Sequence, residues 1–329
     1  MRVAVTGGAG FVGRAVVERL HHRGDDVVAL VRDPARAEHL VHRAGQPGGS
    51  VQLVRSSLAD PGGLHDAMRG ADAVIHAAGR YQVGIPKAAR SEMWDANVGA
   101  TQRVLDAAIA AQVPSIVYVS TVNVFGNTKG AVVDETYRRD VGEGFLSWYD
   151  ETKFRAHEAA EGRIAEGAPV VIVMPSQVYG PHDHSVASEQ LHAAFHGTLP
   201  YRAFGSLGVG WVHVHDLADG ILAALHAATP GESYCLAGPN HRMDESIAIA
   251  ARAGGHRVPR IALPTLLARL TAPLNDALGG LPGMPANLRE TISAGDRVTY
   301  WASHARASAR LGFMPRSLEQ GIHDTWATH

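Results

Sequence analysis

A tyrosine and a lysine four residues apart are the first candidates for chemistry in this sequence. Tyr149 and Lys153 are separated by about one helical turn, so they would project from the same helix face. A neighbouring ammonium favours the charged phenolate, so we expect Lys153 to lower the pKa of Tyr149 from its ordinary value of about 10. Such a phenol could exchange a proton with an alcohol or ketone oxygen. The spacing alone is common on exposed helix faces, so its meaning depends on the surrounding residues.

Two hydroxyl side chains stand at the end of a predicted strand upstream of this pair. The run Ser115–Ser120 is typical of a buried strand, and Ser120 and Thr121 form its carboxyl end. A hydroxyl at that point could be directed at the same substrate oxygen. We therefore expect one catalytic group, formed by Ser120, Thr121, Tyr149 and Lys153.

A glycine-rich turn joins the first predicted strand, Arg2–Thr6, to a helical pattern over Phe11–Arg23. Gly7 permits a tight turn, Gly10 lets the backbone approach a pyrophosphate, and Gly13 lets the helix pack against the strand. The N–H groups at the start of the helix attract an anion. We expect a dinucleotide to bind on this turn, which consists of Gly7, Gly10, Phe11, Val12 and Gly13.

The end of the second predicted strand bears on which nicotinamide cofactor is bound. Val31 occupies the position that is usually acidic in NAD-binding proteins, and Arg32 follows it. A guanidinium there can pair bidentately with the 2′-phosphate of NADP. Asp33 favours NAD instead, since a small shift of alignment would restore an acid, and Arg32 could also be a solvated charge. We expect NADP, with NAD as the less favoured cofactor.

The elements that must position these residues alternate along the chain. The predicted strands are short and nearly all apolar, as in strands covered on both faces: Arg2–Thr6, Val27–Val31, Val51–Val54, Ala73–His76, Ser115–Ser120 and Val170–Met174. The predicted helices are rich in alanine: Phe11–Arg23, Pro34–Arg43, Arg90–Ala111 and Tyr149–Ile164. This alternation predicts an α/β fold with a doubly wound parallel sheet, the Rossmann fold.

The pattern becomes less regular after Pro175. We expect residues 1–175 to form the dinucleotide-binding Rossmann domain, with residues 209–236 returning to it. A helix at Asp216–Ala227 and a strand at Ser233–Leu236 would make that return. Residues 176–208 and 237–329 would form a smaller, interleaved C-terminal substrate lobe.

The composition excludes several classes of protein. The 329 residues carry a formal net charge of −2, so no positive field would gather nucleic acid. The single cysteine, Cys235, cannot form an internal disulfide. The apolar runs are far shorter than the roughly 20 residues that a membrane helix needs. Because the chain also opens directly into a strand, we expect a cytoplasmic protein without nucleic-acid or membrane partners.

Together with further motifs, these residues resemble the extended short-chain dehydrogenase/reductase family, also called the NAD-dependent epimerase/dehydratase family. The resemblance covers nearly the whole chain. Its motifs, in chain order, are TGGAGFVG at 6–13, VIHAAG at 74–79, NVG at 97–99, ST at 120–121, FG at 125–126, YDETK at 149–153, PSQVYGP at 175–181 and VHVHDLA at 212–218.

The resemblance implies a role for each matching residue. It implies that Tyr149 acts as acid/base, that Lys153 holds the nicotinamide ribose, and that Thr121 binds the substrate oxygen. It also implies cofactor contacts from Ala77, Ala78, Pro175, Gln177 and Val178. Ser57 stands where the family often has an aspartate that contacts adenine, so that contact would fall to the backbone of Leu58.

Two departures from the family pattern narrow the expected chemistry. Nucleotide-sugar members usually carry an arginine for the substrate diphosphate where this chain has Val209. The 4,6-dehydratases carry an Asp-Glu pair where Val122 and Asn123 follow the threonine. The chain resembles the branch of dihydroflavonol-reductase-like and 3β-hydroxysteroid-dehydrogenase-like members more than it resembles those two groups. Members of that branch share the Val-Arg-Asp-Pro turn that this chain has at 31–34.

We therefore expect an NADP(H)-dependent oxidoreductase that interconverts a ketone or aldehyde and an alcohol by hydride transfer. The alternative is a sugar or nucleotide-sugar epimerase that uses transient oxidation. The resemblance also implies a homodimer through Arg90–Ala111 and Tyr149–Ile164, although the sequence does not distinguish a dimer from a monomer.

A few polar residues remain as candidates for substrate or metal contacts. Arg80 and Tyr81 follow the fourth strand at the carboxyl edge of the sheet, so they would contact substrate or solvent. His182 lies in a loop that would border the substrate pocket. His213 and His215 alternate along a predicted strand, but two histidines do not make a metal site, and we expect no metal.

Overall fold

Strands and helices alternate through most of the chain in the computed structural model, which describes residues 1–42, 48–277 and 285–327. The strands are β1 (Arg2–Thr6), β2 (Asp26–Val31), β3 (Val51–Arg55), β4 (Ala73–His76), β5 (Ile116–Val119), β6 (Val170–Pro175), β7 (Gln177–Tyr179), β8 (Gly208–His213), β9 (Ser233–Leu236), β10 (Asn240–Arg242) and β11 (Thr299–Tyr300). The helices are α1 (Phe11–His22), α2 (His39–His42), α3 (Pro61–Met68), α4 (Arg90–Trp94), α5 (Ala100–Ala110), α6 (Trp148–Ala165), α7 (Val186–Phe195), α8 (Val214–Ala227), α9 (Met243–Ala253), α10 (Thr265–Ala277), α11 (Leu288–Gly295), α12 (Ala305–Leu311) and α13 (Leu318–Trp326).

Seven parallel strands form the main sheet, in the order β3-β2-β1-β4-β5-β6-β9. Along β1, Val3 and Val5 face the side covered by α1 and α8, whereas Ala4 faces the side covered by α3, α5 and α6. Both faces of the strand are therefore apolar, as its composition indicated. The predicted doubly wound α/β fold is confirmed.

A smaller sheet lies beside the main one and corrects part of the predicted domain boundaries. Strand β8 pairs with β10 and β11 near its start and with β7 near its end. Residues 209–213, expected to return to the main sheet with the rest of 209–236, therefore belong to the second sheet as part of β8. Only α8 and β9 make that return, because β9 hydrogen-bonds to β6.

The predicted helix Arg90–Ala111 contains a π-helical turn. Helices α4 and α5 are separated by a π-helical turn over Asp95–Gly99. Within this turn the Asn97 side chain accepts a hydrogen bond from the backbone N–H of Arg80 at 2.7 Å and donates one to the Thr152 hydroxyl at 2.9 Å. A π-turn widens the helix by one residue and frequently marks a functional site. Here it directs an amide at the segment that follows β4.

The predicted helix Pro34–Arg43 is also shorter than expected. Its pattern resolves into a 3₁₀ turn over Ala35–Ala37 and the four-residue α2, and Arg43 lies outside the described residues. Residues 278–284 and 328–329 of the predicted substrate lobe lie outside them as well. No described helix is both long enough and apolar enough to cross a membrane.

Candidate active site

The glycine turn between β1 and α1 is shaped by contacts that only glycine allows. Gly7 has a positive φ of 73°, and a Cβ on it would lie 2.8 Å from the backbone nitrogen of Ala78. A Cβ on Gly13 would collide with the Gly7 carbonyl oxygen. The turn closes through a hydrogen bond of 2.8 Å from the Gly10 N–H to the same carbonyl.

The start of α1 offers the features that a pyrophosphate needs. Gly10 is the N-cap and provides no capping side chain, so the first N–H groups of the helix have no side-chain partner. The first turn of α1 contains no acidic residue that would repel an anion. The turn therefore fits a dinucleotide phosphate, as the glycine spacing predicted.

A cleft opens where the carboxyl ends of β1, β4, β5 and β6 meet, which is where ligands bind in doubly wound folds. Its cavity measures about 200 Å³. The predicted site residues that line it are Phe11, Val12, Ala77, Ala78, Arg80, Tyr81, Ser120, Thr121, Tyr149, Lys153, Pro175, Gln177 and Val178. Further lining residues, not predicted as site residues, are Gly79, Val119, Asn123, Ser176, Asp183 and Ser185.

Helix α6 carries Tyr149 and Lys153 on one face at the base of this cleft. Its N-cap is Ser147, whose hydroxyl accepts the N–H of Asp150 at 3.0 Å, so the helix begins one residue before Tyr149. The side chains of Tyr149 and Lys153 are both buried, and the Thr121 hydroxyl hydrogen-bonds to the Tyr149 phenol. The tyrosine, lysine and threonine therefore converge, as their spacing and strand position led us to expect.

The predicted effect of Lys153 on Tyr149 is wrong for this structure. Burial raises the pKa of the Tyr149 phenol above its ordinary value, and the hydrogen bond between Tyr149 and Thr121 opposes that rise only in part. The Lys153 ammonium instead donates to the Tyr118 hydroxyl and to the Val119 carbonyl, each at 3.3 Å. Sequence spacing places the two side chains on one face, but the ammonium turns toward β5. Tyr149 is therefore a protonated phenol.

The two hydroxyls after β5 have different surroundings. Thr121 is the N-cap of a 3₁₀ turn, and its hydroxyl donates to the Asn123 side chain at 3.2 Å while facing Tyr149. The Ser120 hydroxyl is 2.9 Å from Nδ1 of His157, one helical turn beyond Lys153. Ser120 lines the cleft, yet its hydroxyl is engaged with α6. Thr121 therefore faces Tyr149 with its hydroxyl, and a catalytic role for Ser120 stays a prediction.

The candidates for substrate contact divide between the cleft and solvent. The ring of Tyr81 meets Tyr149 edge to face, with centroids 4.8 Å apart. The guanidinium of Arg80 pairs with Glu92 at 2.9 Å at the rim. His182 is exposed and does not line the cleft, whereas its neighbour Asp183 does. The loop was correctly expected to border the cleft, but its inward-facing residue is the aspartate.

The expected adenosine contacts lie away from this cleft. Arg32 is exposed just after β2 and forms no ion pair with any described residue. Asp33 accepts the Ala35 N–H at 3.1 Å and pairs with Arg36 at 3.5 Å, so its carboxylate is already engaged. The Leu58 carbonyl accepts a hydrogen bond of 2.6 Å from Arg103. Arg32 therefore has no carboxylate partner among the described residues, whereas Asp33 has a backbone N–H and Arg36 as partners.

Sequence reasoning did not single out Asp183, Ser185 or Asn123 as site residues. Both Asp183 oxygens accept hydrogen bonds from Ser185, and burial raises the pKa of the Asp183 carboxyl. Asn123 could have been inferred from its position two residues after Thr121, whereas no local pattern separates Asp183 from an ordinary loop acid. In the described parts of the chain, no three His, Cys, Asp or Glu side chains cluster as a metal site would require.

Known proteins similar to this chain include reductases and a dehydratase. The chain is 30% identical to cinnamoyl-CoA reductase CAD2 of Medicago truncatula over 248 residues, which cover 71% of this chain and 75% of the relative. It is 28% identical to the 2-alkyl-3-oxoalkanoate reductase of Stenotrophomonas maltophilia, covering 98% of this chain and 97% of the relative. The structure of DesIV, a dTDP-glucose 4,6-dehydratase from Streptomyces venezuelae with NAD bound, is 25% identical, with a TM-score of 0.76 and coverage of 99% of this chain and 95% of DesIV.

The family model for the NAD dependent epimerase/dehydratase family matches residues 3–237. That span includes the glycine turn, the strand ends around the cleft and helix α6 with Tyr149 and Lys153. Proteins similar to this chain include reductases, a UDP-glucose 4-epimerase and a dehydratase. The chain is therefore an enzyme that belongs to the NAD dependent epimerase/dehydratase family, the extended short-chain dehydrogenases/reductases.

Proposed function

We propose that this enzyme is an NADP(H)-dependent reductase that interconverts a ketone or aldehyde and an alcohol. The observation that supports this most is a buried, protonated Tyr149 that shares a cleft with the Thr121 hydroxyl and with the residues beside the glycine turn. A protonated phenol is the acid that carbonyl reduction needs. Two of the relatives described above are reductases, which supports carbonyl reduction as the reaction.

The proposed roles follow from the contacts in the cleft. A bound nicotinamide supplies the hydride in reduction and accepts it in oxidation. The glycine turn would hold its pyrophosphate, and Lys153, Ala77, Ala78 and the segment Pro175–Val178 would hold its nicotinamide half. Tyr149 gives its phenolic proton to the carbonyl oxygen. The Thr121 hydroxyl donates a hydrogen bond to the same oxygen and stabilises the charge that develops there.

The site lacks features that a sugar-nucleotide substrate would use. Val209, at the position where family members that bind nucleotide sugars usually carry an arginine, is buried in β8 and contributes no charge to the cleft. A desolvated diphosphate would lack its cation there. Val122 is buried and Asn123 is engaged with Thr121, so no Asp-Glu pair stands beside the threonine. We propose that Asp183 and Ser185, which line the cleft, instead contact a smaller carbonyl substrate.

Net redox turnover tests this function directly. We expect stoichiometric loss of NADPH absorbance with at least one compound from a panel of aliphatic and aromatic aldehydes and ketones. An epimerase would retain tightly bound cofactor and isomerise UDP-glucose or dTDP-glucose without any net change in NADPH. Epimerisation of either nucleotide sugar, with no oxidation of NADPH by any carbonyl compound, would replace the proposed function.

Replacing Arg32 by glutamate is expected to reverse the preference for NADP(H). A charge-assisted pair with a phosphate contributes about 1.5–3 kcal/mol, so the ratio of Kd values for NADPH and NADH should change by about 10- to 100-fold toward NADH. Fluorescence titration with both cofactors measures the ratio. Arg252→Gln is the control, because it removes an exposed arginine from α9, which packs on α7, α13 and β10. An unchanged ratio in Arg32→Glu would mean that Arg32 is only a solvated charge.

The raised pKa of Tyr149 leads to a pH prediction for the cofactor-free protein. In protein labelled with ¹³C-tyrosine, the Tyr149 signal is expected not to titrate below about pH 10, because burial disfavours the phenolate. Its assignment comes from its absence in Tyr149→Phe. Carbonyl reduction, which uses the protonated phenol, should accordingly show no loss of kcat between about pH 6 and 9. A midpoint below the ordinary tyrosine value would show that Lys153 lowers the pKa after all.

A further inference from the structure

A fully buried tyrosine, Tyr118, contacts the lysine of the proposed proton-transfer pair, Tyr149 and Lys153. Tyr118 is 0% exposed in the middle of β5, three residues before Thr121. The Lys153 ammonium donates hydrogen bonds to the Tyr118 hydroxyl and to the Val119 carbonyl, each at 3.3 Å. The ammonium nitrogen lies 5.1 Å from the centroid of the Tyr118 ring. One tyrosine thus offers Lys153 both a hydroxyl and a ring.

These contacts restrict a side chain that is otherwise flexible. Lysine carries a point charge with three donors on a stem of four methylene groups. Two of the three donors are directed at β5, which leaves one for a further partner. Within 1–42, 48–277 and 285–327, no carboxylate forms an ion pair with Lys153, so its charge is not neutralised. The ammonium is buried and fixed against β5, and its third N–H group can donate a hydrogen bond to a hydroxyl in the cleft.

The Tyr118 ring is itself held in place from behind. It stacks on the His76 imidazole, with centroids 5.5 Å apart and an interplanar angle of 22°. His76 lies between the hydroxyls of Thr6, at 2.7 Å, and Thr101, at 3.0 Å. Burial, with Lys153 nearby, lowers the pKa of His76 to about 3, so the imidazole stays neutral and adds no second positive charge.

We propose that Tyr118 is a positioning residue that sets the direction of the Lys153 ammonium toward the ribose hydroxyls of the cofactor. Through Lys153 it would place the positive charge beside Tyr149 once the cofactor is bound. The inference rests on the proposed function for its effect on turnover, but its effect on Lys153 does not depend on any substrate. A residue that only filled the core would affect stability and leave the lysine unchanged.

Tyr118→Phe removes one oxygen atom and keeps the ring, so it isolates the hydrogen bond. The matched control is Tyr234→Phe in β9, at the far edge of the sheet from the glycine turn. Tyr234 is also fully buried, donates its hydroxyl to Glu232 at 2.6 Å, and has the Arg306 guanidinium 5.1 Å from its ring. Both variants lose a hydroxyl beside a cation, but only one of those cations is Lys153.

The first measurement is the Nζ resonance of Lys153 in protein labelled with ¹⁵N-lysine. The chain has three lysines, so Lys87→Arg and Lys129→Arg complete the assignment. In Tyr118→Phe we expect the Lys153 resonance to shift and its hydrogens to exchange about tenfold faster, because one of two acceptors is lost. The Kd for NADPH should rise about 3- to 10-fold, and kcat should fall by a similar factor. Tyr234→Phe should leave all three values unchanged.

An unchanged Lys153 resonance together with an unchanged Kd for NADPH in Tyr118→Phe would overturn the proposal, as would equal changes in Tyr234→Phe. If Tyr118→Phe does not fold, the contact can be tested from the lysine side with Lys153→Met. In protein labelled with 3-fluorotyrosine, this variant should shift the fluorine resonance of Tyr118. An unshifted resonance would refute the contact. If wild-type protein reduces no carbonyl compound but Lys153 responds as expected, the proposed function fails while the positioning role stands.

Discussion

Replacing Tyr149 by phenylalanine is expected to lower kcat for carbonyl reduction by about 10²- to 10⁴-fold, the contribution typical of a positioned general acid. The variant keeps the buried ring but loses the phenolic proton that Tyr149 is proposed to give to the substrate oxygen. The Kd for NADPH should change less than about twofold, because the expected cofactor contacts lie on the glycine turn and on Lys153. Steady-state kinetics and fluorescence titration measure the two quantities.

Tyr234→Phe is a suitable control for that experiment, since it removes a buried tyrosine hydroxyl that lies outside the cleft. Near wild-type turnover in Tyr149→Phe would show that another group protonates the substrate. A large loss of NADPH binding would mean instead that Tyr149 holds the cofactor, and the rate effect could not then be assigned to proton transfer.

Replacing Arg139 by methionine is expected to lower the free energy of unfolding by about 3–5 kcal/mol, because it leaves a buried carboxylate without its partner. The Arg139 and Asp150 side chains are 6% and 0% exposed, and two hydrogen bonds of 3.0 and 3.3 Å join them. The guanidinium also donates to the Gly144 carbonyl at 2.8 Å. The pair therefore ties the loop before α6 to the residue that follows Tyr149.

Urea denaturation followed by circular dichroism measures this loss of stability. Arg138→Met is the matched control: Arg138 is the preceding residue, its side chain is 70% exposed, and it pairs with Glu161 at 3.7 Å. An exposed pair of this kind contributes at most about 1 kcal/mol. The double variant Arg139→Met/Asp150→Leu should recover part of the loss, since it removes the stranded charge. Equal losses of stability in Arg139→Met and Arg138→Met would show that the buried ion pair stabilises the fold no more than the exposed pair does.

The depth of the site explains why its chemistry and its stability depend on the same helix turn. Tyr149, Asp150 and Lys153 are all buried residues near the start of α6. Burial keeps Tyr149 protonated, requires a partner for Asp150, and forces the Lys153 ammonium to find oxygen acceptors. A turn with these three groups exposed would place none of those demands on the fold.

Much of the fold could be predicted because its signals are local. Strands that are buried on both faces are apolar along their whole length. The sequence therefore predicts β1, β4, β5 and β6 from short runs that are rich in valine, isoleucine and alanine. The glycine turn is legible for a steric reason, since a Cβ at Gly7 or Gly13 would meet backbone atoms. The four-residue spacing of Tyr149 and Lys153 likewise needs only a helix.

Other features depend on residues that are distant in sequence, and the sequence did not reveal them. The π-helical turn between α4 and α5 reflects the hydrogen bonds that the Asn97 side chain accepts from Arg80 and donates to Thr152. Strand β8 joins the second sheet because β7, β10 and β11 are available as partners. Neither the Asn97 hydrogen bonds nor the strand partners of β8 change the hydrophobic pattern of their own segments. The sequence therefore predicted a regular α-helix and a strand that returns to the main sheet.

The residue types and spacings in this chain are sufficient to specify a dinucleotide turn, a parallel sheet and a tyrosine with a lysine on one helix face, because each depends on neighbours within a few residues. The directions of the polar groups depend on tertiary packing instead. Only in the folded chain does Ser120 meet His157, Asp183 turn inward in place of His182, and the Lys153 ammonium point to Tyr118. A buried polar atom takes whichever partner the fold brings within about 3 Å, and sequence spacing carries no record of that choice.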